Sequence, residues 1–119
     1  LMLASQLEHN LKVAIIDANS KIATKLKISG GGKCNITNIE VTNENYVGDI
    51  ELLNNALEAF SKDDLLAFLS NNGVEVVLRK GRYYFCKTSS DEIINLFRSK
   101  TKSAKYILNF KVEDVEKKD

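Results

Sequence analysis

Residues 19–36 read Asn19-Ser20-Lys21-Ile22-Ala23-Thr24-Lys25-Leu26-Lys27-Ile28-Ser29-Gly30-Gly31-Gly32-Lys33-Cys34-Asn35-Ile36, and no other segment of the chain is as informative. The consecutive glycines Gly30, Gly31 and Gly32 let a backbone approach a ligand with no Cβ in between, and they reach positive φ without steric penalty. Just upstream, Val13-Ala14-Ile15-Ile16 is a continuous apolar run that ends on Asp17. Such a run reads as a parallel strand covered on both faces. An acid at its tip reads as the second strand of a dinucleotide-binding unit, with the carboxylate set to accept from ribose hydroxyls. The bland reading of Asp17 is a strand-end acid that faces water or caps the next turn.

The glycine run is not an ATP-binding P-loop. That motif needs Gly-x-x-x-x-Gly-Lys followed by Ser or Thr. Gly32-Lys33 supplies its end, but Lys27 stands where the first glycine belongs and Cys34 replaces the hydroxyl. A tight turn without a ligand is the alternative. It would not need the donors and the cation that flank the run, namely Ser29, Lys33, Asn35, Thr37 and Asn38. Lys21, Lys25, Lys27 and Lys33 form a local positive cluster, which is either a solvated face or a partner for a pyrophosphate. Cys34 reads as a small packed residue; the competing role is a redox thiol with a pKa lowered by Lys33. Cys86 falls in a β-prone run and reads as structural. His9, the one histidine, carries no assigned chemistry, and no cluster has metal-ligand spacing.

Outward from this segment the chain alternates helical and extended patterns. Leu1, Leu3, Ala4, Leu7 and Leu11 have helical spacing, so a helix is expected over residues 1–9, with His9-Asn10 as its stop. A helix followed by a buried strand implies an earlier strand, and the chain opens on Leu within a helical pattern. We therefore expect a piece of a longer protein. Residues 18–48 show no sustained period and are expected to form a long functional loop. Asp49 to Phe60 carries Ile50, Leu53, Leu57 and Phe60 on one face, an amphipathic helix. Ser61 followed by Asp63 and Asp64 is an N-cap signal, and Gly73 is the residue expected just past the end of that second helix. Val74–Leu78 and Tyr83–Cys86 read as a hairpin across Arg79-Lys80-Gly81-Arg82. Thr88 to Asp91 caps another helix with the stripe Ile93, Ile94, Leu96 and Phe97, and Tyr106 to Val112 alternates as a last strand. The tail from Glu113 to Asp119 is charged and expected to fray.

Composition bounds the rest. The chain has 119 residues, 44% of them apolar and 28% charged, which is ordinary for one globular domain or part of one. Seventeen basic residues against 16 acidic ones give a net charge of +1, so no whole-molecule field recruits nucleic acid or an anionic membrane. No apolar run approaches the ~18 residues that cross a bilayer. Two cysteines without C-x-x-C spacing point to a reducing, cytoplasmic setting.

Lys25-Leu26-Lys27-Ile28-Ser29-Gly30-Gly31-Gly32-Lys33-Cys34-Asn35-Ile36-Thr37-Asn38 resembles, from Leu26 onward, the signature L-x-I-S-G-G-G-[RK]-C-N-x-T-N of a bacterial flavoprotein family. The family comprises aminoacetone-oxidase-like and BaiN-type NAD(P)/FAD-dependent oxidoreductases. The likeness continues through Asn45-Tyr46, the helix from Asp64, Gly81-Arg82-Tyr83-Tyr84-Phe85 and Ser89 to Phe97. One departure is Cys86, where the family commonly has proline; another is Asp17, where many relatives have Glu. The resemblance implies an α/β fold, a partial Rossmann-type FAD-binding domain of the glutathione-reductase-like kind with added helices and a hairpin. Residues 1–38 would be its cofactor-binding segment, and residues 39–119 the helix pair, hairpin, helix and strand. It also implies that Asp17 holds the adenosine ribose and that Ser29 to Asn35, Cys34 included, wrap the pyrophosphate of FAD. Lys25 and Lys33 would add charge, while Asn35 and Thr37 would fix the loop. Its first strand and Gly-rich turn would precede Leu1 and its substrate domain would follow. NAD(P)H or a small-molecule substrate would be a further partner, and neither nucleic acid nor membrane is implied. The alternatives are a non-catalytic α/β remnant and a nucleotide-binding module that takes no flavin on its own.

Overall fold

The computed structural model describes residues 1–8 and 10–117. The expected helix stop at His9 and the last two residues of the tail lie outside the described residues. Two small sheets organise the chain. Strand β1 (Ala14–Ile16) pairs in parallel with β5 (Lys105–Ile107), in the register Ala14 to Lys105 and Ile16 to Ile107. Parallel neighbours need a long crossover, and here everything from Asp17 to Ala104 supplies it. The second sheet has the order β2-β4-β3, antiparallel throughout, built from β2 (Asn35–Asn38), β3 (Val76–Arg79) and β4 (Tyr83–Cys86). The hairpin forms as the sequence predicts, except that its first strand begins at Val76 and takes in Arg79, a residue expected in the turn. Arg82 N–H donates to the Arg79 carbonyl, and Lys80 and Gly81 at the tip have φ of 52° and 60°. Positive φ at both tip residues matches the right-handed twist of the flanking strands.

The helices follow their local signals. Helix α1 (Met2–Gln6) is shorter than expected, because Leu7 is already extended. Helix α2 is Thr24–Ile28, α3 is Ile50–Ala59, α4 is Lys62–Asn71 and α5 is Asp91–Lys100. Asp49 caps α3 by accepting the Leu52 N–H. Ser61 and Asp64 form a reciprocal box at the start of α4: the Ser61 hydroxyl accepts the Asp64 N–H, and the Asp64 carboxylate accepts from the Ser61 N–H and hydroxyl. At its other end Gly73 N–H donates to the Ser70 carbonyl and Val74 N–H to the Leu69 carbonyl, the paired bonds of a Schellman ending. Gly73 takes the left-handed φ of 76° that this ending requires. The start of α5 is handled differently from the simple cap expected. Ser89 Oγ accepts the Asp91 N–H, Glu92 accepts the Thr88 and Ser89 N–H groups, and the Ser90 hydroxyl turns inward to the Lys27 carbonyl.

The core lies where α4, α5 and the antiparallel sheet meet. Cys34, Leu69, Val74, Cys86, Ile93, Ile94 and Phe97 fill it, with Phe68 stacked on Phe97 at 6.2 Å between ring centroids. Truncating Phe97 to Ala would cost about 3–5 kcal/mol, the usual loss for a buried aromatic. Three expectations are corrected. The segment 18–48 is not structureless: it holds α2, β2, a 3₁₀ turn over Ser29–Gly32 and another over Asn43–Asn45. Each piece is too short to show a period, and β2 exists because it pairs with β4, far along the chain. The β1 run is not covered on both faces by the described residues, since Ala14 and Ile16 are exposed, Ile16 to 46%. The last strand stops at Ile107 because Asn109 turns to a φ of 55° and Phe110 N–H donates to the Asp17 carbonyl.

The Cα radius of gyration is 15.8 Å, against about 13.5 Å for a compact domain of this length. The excess goes with apolar side chains left open, among them Val47, Ile50 and Leu52 along and before α3. Among the described residues no helix is long and apolar enough to cross a membrane.

Candidate functional site

Asp17 stands at the carboxyl end of β1, held by Ile107 and Phe110 through its backbone. Its Oδ1 accepts 2.8 Å hydrogen bonds from both the backbone N–H and the side-chain amide of Asn19. These two bonds, the backbone one first, hold its carboxyl below the usual carboxylate value of 3.8. Oδ2 takes no partner among the described residues, so an ionised, oriented oxygen faces outward. A ribose diol is the kind of donor such an oxygen accepts.

The glycine segment is contorted. Ala23, Gly30, Gly31, Gly32 and Cys34 all have φ between 51° and 84°. The alanine and the cysteine are strained there, by about 1–2 kcal/mol each. Such strain persists only where the surroundings over-determine it. Here they do: Cys34 N–H donates to the Ser29 carbonyl, Ser90 N–H to the Gly32 carbonyl and Cys86 N–H to the Lys33 carbonyl. The Ser29 hydroxyl donates to the Leu26 carbonyl.

The three glycines differ in what surrounds them. A Cβ on Gly30 would sit 2.6 Å from a ring carbon of Phe85 and 2.9 Å from the Asn35 nitrogen, so Gly30 is the joint where the loop meets the sheet. A Cβ on Gly31 or Gly32 would meet nothing within 4 Å. Those two present bare backbone to the outside.

Other residues singled out from sequence fall around this loop unevenly. Lys27 is committed to Asp91 at 2.6 Å and so is not a free cation. Lys25 and Lys33 take part in no ion pair among the described residues. Thr37 lies in β2 opposite Tyr84. Asn35 is exposed and lines a cavity of about 290 Å³ together with Gly30, Arg79, Lys80, Tyr83 and Phe85. Asp17 is not among that cavity's lining residues. Cys34 has its side chain in the core, 1% exposed, so only its backbone faces the loop. Its neighbour Cys86 is also buried, and burial first, then the nearby Cys34, push that thiol up to about 11. The hairpin cations Arg79, Lys80 and Arg82 were legible only as turn residues. Their place beside the loop depends on the β2–β4 pairing, which no local signal announces.

The family model described as "HI0933-like protein Rossmann domain" matches residues 1–119, the whole chain. The chain belongs to this family. Its α/β architecture, with one parallel and one small antiparallel sheet, agrees with that membership. The HI0933-like domain is of the FAD-binding, flavoprotein-like Rossmann type. Among curated proteins the chain is similar to a ribosomal RNA dihydrouridine synthase of Haemophilus influenzae, with 30% identity over 108 residues covering 88% of this chain and 27% of that protein. It is also similar to a ribosomal RNA dihydrouridine synthase of Escherichia coli, with 28% identity over 86 residues covering 71% of this chain and 22% of that protein. The chain thus spans about a quarter of the length of these relatives.

Proposed function

We propose that this HI0933-like domain is the FAD-binding part of a flavin-dependent oxidoreductase. The observation that carries the reading is the open backbone of Gly31 and Gly32, a surface on which a side chain would meet no protein atom and a bound ligand would take the space. Asp17 accepts from the adenosine ribose through its free oxygen. Ser29 to Asn35 run along the pyrophosphate, Lys25 and Lys33 offset its charge, and Thr37 ties the end of the loop into β2. Cys34 contributes its peptide group, while its thiol stays in the core. The flavin supplies two-electron redox chemistry when bound, and these residues bind and orient it.

For the substrate, the two relatives' names favour a uridine in ribosomal RNA, whose uracil ring is reduced across one carbon–carbon double bond. The balanced net charge argues against a whole-molecule field, but a substrate is gripped by a local surface. Purification of the full-length protein tests both levels. Flavin absorbance in the native protein is the expected result for the cofactor. Dihydrouridine formed in ribosomal RNA incubated with the protein and NAD(P)H, whose hydride re-reduces the flavin, is the expected result for the substrate, read by mass spectrometry of its nucleosides. A protein that takes up no FAD removes the first reading. A flavoprotein that leaves ribosomal RNA unaltered removes the second and returns NAD(P)H-linked small-molecule redox chemistry as the remaining choice.

A further inference from the structure

The tip of the β3–β4 hairpin reads Arg79-Lys80-Gly81-Arg82, with cations at all positions but the glycine. None of the three cations pairs with a carboxylate among the described residues; the four ion pairs all lie elsewhere. All three are exposed. The strand that follows carries Tyr83 and Phe85 two residues apart, hence on one face of the sheet. Their rings meet edge to face at 6.4 Å between centroids. The Arg79 guanidinium lies 5.7 Å above the Phe85 ring, and the Arg82 guanidinium 5.4 Å above the Tyr83 ring. This face is the floor of the 290 Å³ cavity whose wall is Gly30 and Asn35 of the glycine segment. On the other flank of the tip, Arg82 and Gly81 line a larger cavity of about 650 Å³ with Asn38, Ile39, Glu40 and Asn45. Glu40 is the single carboxylate lining either space.

We infer that this hairpin face is the nucleic-acid contact surface of the domain, receiving unpaired RNA beside the cofactor loop. The inference rests on the ribosomal RNA reading given above. Sequence-tolerant grip on single-stranded RNA needs cations that track phosphates and flat rings on which bases stack. Unpaired bases are also the ones that arginine planes and aromatic side chains recognise. Within residues 79–85 the exposed guanidinium planes of Arg79 and Arg82, backed by the Phe85 and Tyr83 rings, supply both the charge and the flat surface. A dinucleotide cofactor already has an acid, a bare-backbone loop and two lysines assigned to it, which leaves the three hairpin cations for another anion. The cavity joins the two, since Gly30 and Asn35 belong to the cofactor segment and Tyr83 and Phe85 to the hairpin. A base seated there lies next to the loop that carries the flavin.

The test uses the full-length FAD-loaded protein, a fluorescein-labelled single-stranded RNA of ribosomal sequence, and anisotropy over a range of salt. Arg79→Ala with Arg82→Ala lowers RNA affinity by about tenfold or more, as loss of stacked contacts does elsewhere. It also makes the plot of log affinity against log salt shallower by about 1.4, two phosphate contacts' worth for single strands. FAD content, read by absorbance, stays at the wild-type level. Lys80→Asn is the companion variant, because Asn tolerates the left-handed φ of 52° at that position and removes only the charge. It makes the salt plot shallower by about half as much. Folded variants that bind RNA as the wild type does overturn the hairpin assignment while leaving the substrate reading intact. Variants that lose FAD together with RNA also overturn it, by placing these cations in the cofactor site. A wild-type flavoprotein that neither binds the RNA nor forms dihydrouridine removes the substrate reading itself, and the hairpin assignment with it.

Discussion

A methyl group added at Gly30 and one added at Gly31 strain the backbone alike but meet different surroundings. Both positions are left-handed, with φ of 57° and 66°, so alanine at either carries about 1–2 kcal/mol of backbone strain. At Gly30 the new Cβ also falls 2.6 Å from the Phe85 ring and 2.9 Å from the Asn35 nitrogen. The ring is packed and the nitrogen is backbone, so neither yields cheaply, and overpacking adds about 1–3 kcal/mol. Gly30→Ala is therefore expected to destabilise the domain by about 2–5 kcal/mol. Gly31→Ala stays within the strain alone, since its Cβ has no protein neighbour within 4 Å. If flavin lies against Gly31, the order reverses for cofactor affinity. The methyl then occupies ligand space and lowers FAD affinity by about tenfold to a hundredfold, the fold-change equivalent of the same overpacking. Gly31→Asn separates strain from bulk, because asparagine accepts the left-handed region. Thermal unfolding reports the first quantity, and flavin fluorescence during titration of the apoprotein reports the second. A folded Gly31→Ala protein that binds FAD as tightly as the wild type would refute the placement of this loop against the cofactor.

Asp17→Asn is expected to weaken FAD binding about tenfold to a hundredfold with little effect on folding, since a charged acceptor to the ribose is lost; ultrafiltration of released flavin measures it. Ser61→Ala should cost about 1 kcal/mol by removing the cap of α4, read from the shift in the unfolding midpoint. The Ser61 hydroxyl, then its N–H, holds the Asp64 carboxyl below its ordinary 3.8. That contribution is present in full above pH 3.8 and is lost as pH falls through the lowered value; the acid limb of a stability–pH curve should flatten in Ser61→Ala. Cys86 moves the other way. Its thiol ionises near 9.0 when unfolded and at about 11 when buried, so stability should decline as pH rises through that interval, and Cys86→Ser should blunt the decline.

Most of the helical framework was legible because its signals are local. The Ser61–Asp64 box, Gly73 and the apolar stripe of α5 each lie within a turn or two of what they determine. The hairpin was legible for the same reason, its turn and both strands being contiguous. Contacts that join distant residues were not. The pairing of β2 with β4 joins Asn38 to Tyr83, and the Ser90 hydroxyl reaches the Lys27 carbonyl 63 residues away. Lys27 looked like a free cation in the sequence and is tied to Asp91 in the fold. For the candidate site, Asp17 and the glycine run stood out because strand ends and glycine clusters mark themselves. Their division of labour did not, since only the position of Phe85 distinguishes Gly30 from Gly31.

That division bears on how a glycine-rich sequence can hold one loop conformation. Three glycines in an unanchored loop would lose a large conformational entropy on meeting a ligand. Here the loop is already held before any ligand arrives. Gly30 is wedged on Phe85, the Gly32 carbonyl takes the Ser90 N–H, the Lys33 carbonyl takes the Cys86 N–H, and Cys34 is sunk in the core. The ordering cost therefore falls on folding, where the burial of α5 and β4 offsets it, and not on binding. Preorganisation of this kind raises affinity without any additional contact. It also explains why a strained, left-handed cysteine is tolerated beside the glycines: its side chain is the pin that keeps the open backbone of Gly31 and Gly32 turned outward.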